Sequence, residues 1–461
     1  MATLFIKGGT VVTDADCRPA DLLVTDERIA AVGRGLPLPA AARVIDAAGA
    51  YVMPGGIDPH VHFQLPVAGR ESSDDFVSGS RAALAGGTTT VIDFVTPKRG
   101  QSLLEALRQR REEAEKSCCD YGLHMGLSGI APALTDEMAR CVEAEGITSF
   151  KAYLAYRDSI GVDASGLERI MKEAAKLKAL ALLHAEDDDL ICARQAELLG
   201  CGQTDARYHA LSRPAEAEIN AVRRALDIAR CCGADIYFVH VSTGAAVEWI
   251  AAARKRGERV WAETCPHYLL FDDREYDSID RAAAFIFSPP LRKHKDSRKL
   301  WKALRSRSLQ AVSSDHCPFN LKSDRDLRGG DFTRLPGGTG GVEYRLPLLY
   351  TYGVMERRIS LSRWVELTAT APAKIFGLFP RKGTIAPGAD ADLVIWDPAV
   401  ETKISAANQY QHCDHTIYEG LRLRGGPAAV LLRGHEVFSR GKLLVAEGFG
   451  QFLKRSRTVD A

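Results

Sequence analysis

Eight short apolar runs, each followed by an amphipathic stretch, set the strongest limit on what this chain can fold into. They are GGIDPHVHF, TTTVIDFV, YGLHMGL, SFKAYLAY, ALALLHAED, DIYFVHVS, RVWAETCPHYL and AVSSDHCPF. Helix-like segments such as SLLEALRQRREEAEK and AEAEINAVRRALDIARCC lie between them. Repeated strand-then-helix units build a parallel sheet, and eight of them are what a closed (β/α)₈ barrel requires. A doubly wound open sheet is the alternative, but no GxGxxG occupies the first strand-to-helix turn. The expected class is therefore α/β, with a (β/α)₈ barrel over residues 56–380.

The two ends have a different texture. LFIKGGTVV and DLLVTDERIAAVG near the start, and KGTIAPGADADLVIWDP and AAVLLRGHEVFSRGKLL near the end, are short β segments punctuated by turn residues. Residues 1–55 and 381–450 are expected to form one small β-sandwich domain into which the barrel is inserted. The polar tail, 451–461, is expected to be mobile or to lie on a neighbouring subunit.

Composition removes several classes of function. An apolar fraction of 46% with 26% charged residues describes an ordinary globular chain of 461 residues. Sixty Lys plus Arg nearly cancel 59 Asp plus Glu, so no global field attracts nucleic acid or an acidic membrane surface. The start, MATLFIKGGT, lacks the apolar stretch of a signal peptide, and no later run approaches the ~20 apolar residues that span a bilayer. A cytoplasmic location and a small, weakly charged partner are expected. The 11 cysteines include the adjacent pairs Cys118–Cys119 and Cys231–Cys232, which do not resemble a disulfide framework. Cys265 and Cys317 fall near site segments without a zinc spacing and are read as packing residues. The run RKHKDSRK at 292–299 reads as a solvated surface.

His60 and His62 stand at i and i+2 at the end of the first run, so the alternation of a strand points both imidazoles to one face. Three later strands end in an isolated ligand type: His184, His240 and Asp315. In a barrel, strand ends converge, and active sites are assembled there from different strands. Lys151 lies in SFKAYLAY, where a buried ammonium is costly. Snorkelling to the barrel mouth is one reading of it. A neutral amine beside metals can instead combine with carbon dioxide as a carbamate, whose two oxygens can each bind one metal. His124 reads as a residue inside the third strand, and His267 and His316 as hydrogen-bond donors behind stronger candidates.

GGIDPHVHF, FKAYLAY, LLHAED, FVHVST, ETCPHYL, SPPLR and SSDHCPF together resemble the motifs of the amidohydrolase superfamily, in its hydantoinase and dihydropyrimidinase branch, over almost the entire chain. The resemblance implies that His60, His62 and Asp315 bind one divalent metal and His184 and His240 the other, with carbamylated Lys151 bridging. It implies zinc, with manganese a common substitute, and a homotetramer or dimer. Two such cations lower the pKa of a shared water, which yields a hydroxide for attack on a ring carbonyl. Asp315 is the candidate to carry the proton to the leaving nitrogen, and Tyr156 the candidate oxyanion donor. Ser288 and the segment LPGGTGGVEYR match places where that family grips the substrate amide through backbone groups. The asparagine usual there is Gly337 here.

These points imply ring opening of 5-substituted hydantoins to N-carbamoyl amino acids, or of dihydropyrimidines. The loops around Leu65 and Phe94, and the one following Tyr156, are expected to shape the pocket for the ring substituent. Dihydroorotase is the nearest alternative, but its arginine close after HxH is missing from HFQLP. Allantoinase is a second alternative. A non-enzymatic assembly protein on the same scaffold is a third, and would be expected to lack several of the six ligand positions kept here.

Overall fold

The computed structural model describes residues 3–129, 134–325 and 331–457. Eight parallel strands pair in chain order: Gly56–Val61, Thr88–Val95, Asp120–Gly126, Ser149–Tyr153, Leu180–His184, Ile236–Phe238, Val260–Thr264 and Ala311–Val312. The ring closes where Val61 bridges His316 in parallel and the His62 amide donates to the His316 carbonyl at 2.8 Å. This is the expected barrel. Every residue of its first three strands is buried. A parallel strand is covered on both faces, which is why these runs read as almost continuously apolar.

The helices between strands start and stop where local chemistry dictates. The Ser102 hydroxyl accepts from the Glu105 amide to cap Leu103–Ala114, whose buried Leu103, Ala106, Leu107, Arg110 and Ala114 follow the 3.6-residue period. Ala215–Cys232 buries Ala217, Ala221, Val222, Ala225 and Ala229, and ends at Gly233, whose φ of 63° suits the left-handed cap.

The two ends of the chain share one nine-stranded sheet. Tyr51–Pro54 pairs antiparallel with Leu393–Lys403, Val52 opposite Ile395, and so joins residues more than 300 apart in sequence. Leu4, Ile6, Leu22, Val24, Leu393 and Leu431 pack into one apolar cluster on this sheet. Lys382 fastens the sheet to the barrel: its fully buried ammonium donates to Asp120, at the start of the third barrel strand, and to Asp392, both at 2.6 Å.

The tail departs from expectation. Residues 451–457 lie on their own barrel: the Tyr121 amide donates to Gln451, Leu453 donates back to Tyr121, and Arg455 donates to Gly146. Leu453 is 1% exposed and joins Ile375, Phe376, Ile57 and Leu180 in the cluster that plugs the N-terminal end of the barrel. Alternation explains the polar reading, since exposed Lys454 and buried Leu453 and Arg455 are neighbours. Residues 458–461 lie outside the described residues.

Candidate active site

The C-terminal strand ends surround a cavity of about 540 Å³, lined by His60, His62, Lys151, His184, His240 and Asp315 together with Tyr156, Ser288 and Gly337. His60 lies in the first strand and His62 just past it. Their Nε2 atoms are 3.1 Å apart, and Asp315 Oδ1 sits 3.1 and 3.4 Å from them. His184 is the last residue of the fifth strand, and its Nδ1 lies 3.0 Å from His240 Nε2, two residues beyond the sixth. Lys151, 1% exposed, reaches in from the fourth strand with Nζ 5.2 Å from the ring centres of Phe94 and Tyr153.

These atoms fit cations. Ring nitrogens converge pairwise at distances where two imidazoles have one proton at most to share, and His62 and His240 each leave a buried Nδ1 without a partner. Burial holds His60 and His240 well below the usual imidazole range, and His184 below it, so the rings are neutral. Neutral imidazole is the form that ligates. A set of imidazole nitrogens with one carboxylate suits borderline divalent metals such as zinc or manganese.

Carboxylates behind the rings fix which nitrogen faces the cavity. Glu263 Oε1 lies 2.5 Å from His60 Nδ1, and Glu186 Oε2 lies 2.9 Å from His184 Nε2. Each leaves the opposite nitrogen free to ligate. Glu263 also accepts from the Tyr237 hydroxyl at 2.7 Å.

The backbone is strained where the site is built. Tyr156, His240 and Asp315 all have positive φ, 64°, 38° and 51°. Left-handed non-glycine residues persist only where surroundings enforce them. Here the Tyr156 amide donates to Asp188 at 2.7 Å, and Asp58 accepts from the Ser314 amide at 3.1 Å and the His60 amide at 3.3 Å. Asp58 thereby spans the first and last strands of the barrel and is itself paired with the buried guanidinium of Arg345 at 3.3 Å.

The remaining residues read from sequence meet expectation in part. The loop after Phe94 reaches the cavity through Thr96, while the Phe94 ring itself stacks on His62 with centroids 4.7 Å apart. His316 bonds Asp74 at 2.9 Å and the Gly341 amide at 3.0 Å, and so holds loops together rather than supporting a ligand ring. His267 is buried with both nitrogens unpartnered. His124 lies in the third strand, bonded to Ser149 and Pro59. Arg292 breaks the solvated reading of 292–299: it is buried, donating to Ser242 and to the Arg213 carbonyl. Cys317 touches the cavity, but burial raises its thiol and that of Cys265 well above the usual range, which leaves neither a nucleophile. Sequence reasoning passed over Glu263, Glu186 and Arg213. The signal was present as acids inside apolar strand motifs, ETCPHYL and LLHAED.

A closed (β/α)₈ barrel with imidazoles and a carboxylate clustered at its C-terminal face defines the class: a metal-dependent barrel hydrolase. The amidohydrolase family model matches residues 51–437, and the chain belongs to that family. It is similar to the D-hydantoinase of Geobacillus stearothermophilus, 44% identical over 99% of this chain and 97% of that one. It is 39% identical to the D-phenylhydantoinase of Escherichia coli over 99% of both chains. Among solved structures, the dihydropyrimidinase from Brevibacillus agri superposes with a TM-score of 0.98 at 40% identity over both full chains. The L-hydantoinase (dihydropyrimidinase) from Arthrobacter aurescens gives 0.89 at 30% identity over 98% of this chain and 99% of that one. Family membership implies a binuclear divalent-metal centre. Among the described residues no helix is long and apolar enough to cross a membrane.

Proposed function

We propose that this cavity opens the ring of 5-substituted hydantoins, giving N-carbamoyl amino acids, and of dihydropyrimidines. The chain is a hydrolase of the hydantoinase and dihydropyrimidinase type, acting on carbon–nitrogen bonds in cyclic amides. The observation that carries the substrate reading is the wall beside the histidines. Leu65, Pro66, Val67 and Ala68 form it, and among the described residues the one arginine lining the cavity, Arg213, is already paired with Glu186. An uncharged ring substituent suits such a wall, whereas a dihydroorotate carboxylate would lie there uncompensated.

His60, His62 and Asp315 would hold one cation, and His184 and His240 the second. Burial lowers the Lys151 amine to about 7, so a substantial fraction is neutral near neutral pH and able to take up carbon dioxide as the bridging carbamate. When bound, the two cations, zinc or manganese, supply Lewis-acid activation of water and carbonyl. The rest of the chemistry falls to side chains and backbone. Asp315 accepts the proton that water loses as its oxygen adds to the ring carbonyl, and returns it to the ring nitrogen as the C–N bond breaks. Tyr156 donates its hydroxyl to the oxyanion, with Ser288 within reach of the phenol. Backbone groups at Ser288 and Gly337 hold the amide. The assembly is a homotetramer or dimer in the cytoplasm.

Hydrolysis of dihydrouracil, phenylhydantoin, dihydroorotate and allantoin, with metal content measured on the same sample, tests this reading. Turnover of the first two with two divalent ions per chain is expected. Turnover of only the last two discards the substrate assignment.

A further inference from the structure

Besides Lys151, Arg213 is the only lysine or arginine among the described residues that lines the cavity. It ends the short helix Tyr208–Ser212 and is 5% exposed. Its guanidinium carbon lies 5.0 Å from the centre of the Tyr156 ring, and Nη1 donates to Glu186 Oε2. That same carboxylate oxygen lies 2.9 Å from His184 Nε2. Arg292 backs the arrangement, donating to the Arg213 carbonyl and, at 3.0 Å, to the Ser242 hydroxyl.

Tyr156 needs such support. It is half-buried, on a left-handed backbone at the start of a loop, and its ring has a neighbour in His184 at 5.4 Å. A guanidinium is flat, so it can cover a phenol face while an N–H in its own plane reaches a carboxylate. An ammonium is a compact point charge with no planar face to lay on the ring.

We propose that Arg213 is a positioning residue for Tyr156, clamping the phenol in the orientation that aims its hydroxyl at the oxyanion and, through Glu186, tying that orientation to His184. The inference rests on the oxyanion-donor reading of Tyr156. It assigns Arg213 no contact with substrate. An oxyanion donor acts only in the transition state, so a loosened clamp lowers kcat and leaves KM nearly unchanged.

A double-mutant cycle on the metal-loaded enzyme, with phenylhydantoin as substrate, tests it. Arg213→Lys is expected to keep both metals and a KM within about 3-fold of wild type, and to lose about 10-fold or more in kcat. In a Tyr156→Phe background the same substitution is expected to change kcat by less than about 2-fold, because there is no hydroxyl left to aim. Equal losses in the two backgrounds, or a loss carried by KM or metal content, overturn the clamp. A Tyr156→Phe enzyme with unchanged kcat removes the donor reading and the clamp with it, whereas a large loss there with an additive Arg213→Lys effect removes the clamp alone. If the lysine variant does not fold, Arg213→Gln, which retains one N–H for Glu186, is read in the same cycle.

Discussion

At the residue scale, Lys151 is where sequence and structure press hardest on one atom. A fully buried amine among imidazoles, with no charge partner at contact distance among the described residues, is tolerable only when neutral or modified. Lys151→Ala is expected to lose bound metal and at least ~10-fold in activity, with partial recovery on adding a small carboxylic acid; atomic absorption and turnover on one sample read both. Full activity with two metals and no added acid would refute the carbamate bridge. The neighbouring glycines differ sharply. A Cβ on Gly338 would stand 2.2 Å from the Cys317 carbonyl at a φ of 154°, whereas one on Gly337 meets nothing nearer than 3.8 Å. Gly338→Ala is therefore expected to cost about 1–3 kcal/mol in urea denaturation. Gly337→Asn is expected to fold normally and keep kcat within about 3-fold, which suits a substrate contact made through backbone.

At the scale of elements, the join between sheet and barrel is electrostatic at its centre. Lys382 touches Asp120, Asp390 and Asp392 without access to water. Without Lys382, Asp120 keeps Arg433 and Asp390 keeps Arg381, but among the described residues the buried Asp392 has no other ion-pair partner, and an uncompensated buried charge costs about 3–5 kcal/mol. Lys382→Met should lower the free energy of unfolding by that amount while metal content and KM of the folded enzyme stay at wild-type values. A loss below about 1 kcal/mol would show that the apolar cluster alone holds the sheet in place. The barrel strands were legible as elements because burial on both faces writes an uninterrupted apolar run. The tail was not, because a segment that inserts single side chains between polar neighbours carries no such run.

At the scale of the whole molecule, metal and fold are linked. Cations that bind only the folded site stabilise it by about 4 kcal/mol at a thousandfold excess over Kd. Chelation should lower Tm and abolish turnover, and zinc or manganese should restore both; scanning calorimetry with and without chelator checks this. An unchanged Tm would mean that no cation was bound to the folded site before chelation.

The sequence by itself determined the barrel, the pairing of its two ends into one sheet, and the candidate ligands, because period and strand-end position are local properties that survive in one dimension. The carboxylates behind the rings, the Arg213 stack on Tyr156, the burial of Arg292 and the docking of the tail were decided only by tertiary structure. Each depends on which distant charge meets which across the barrel, as Glu186 meets Arg213 and His184. A buried charge is stable only beside its partner, and the spacing of residues along a chain carries no record of that partner.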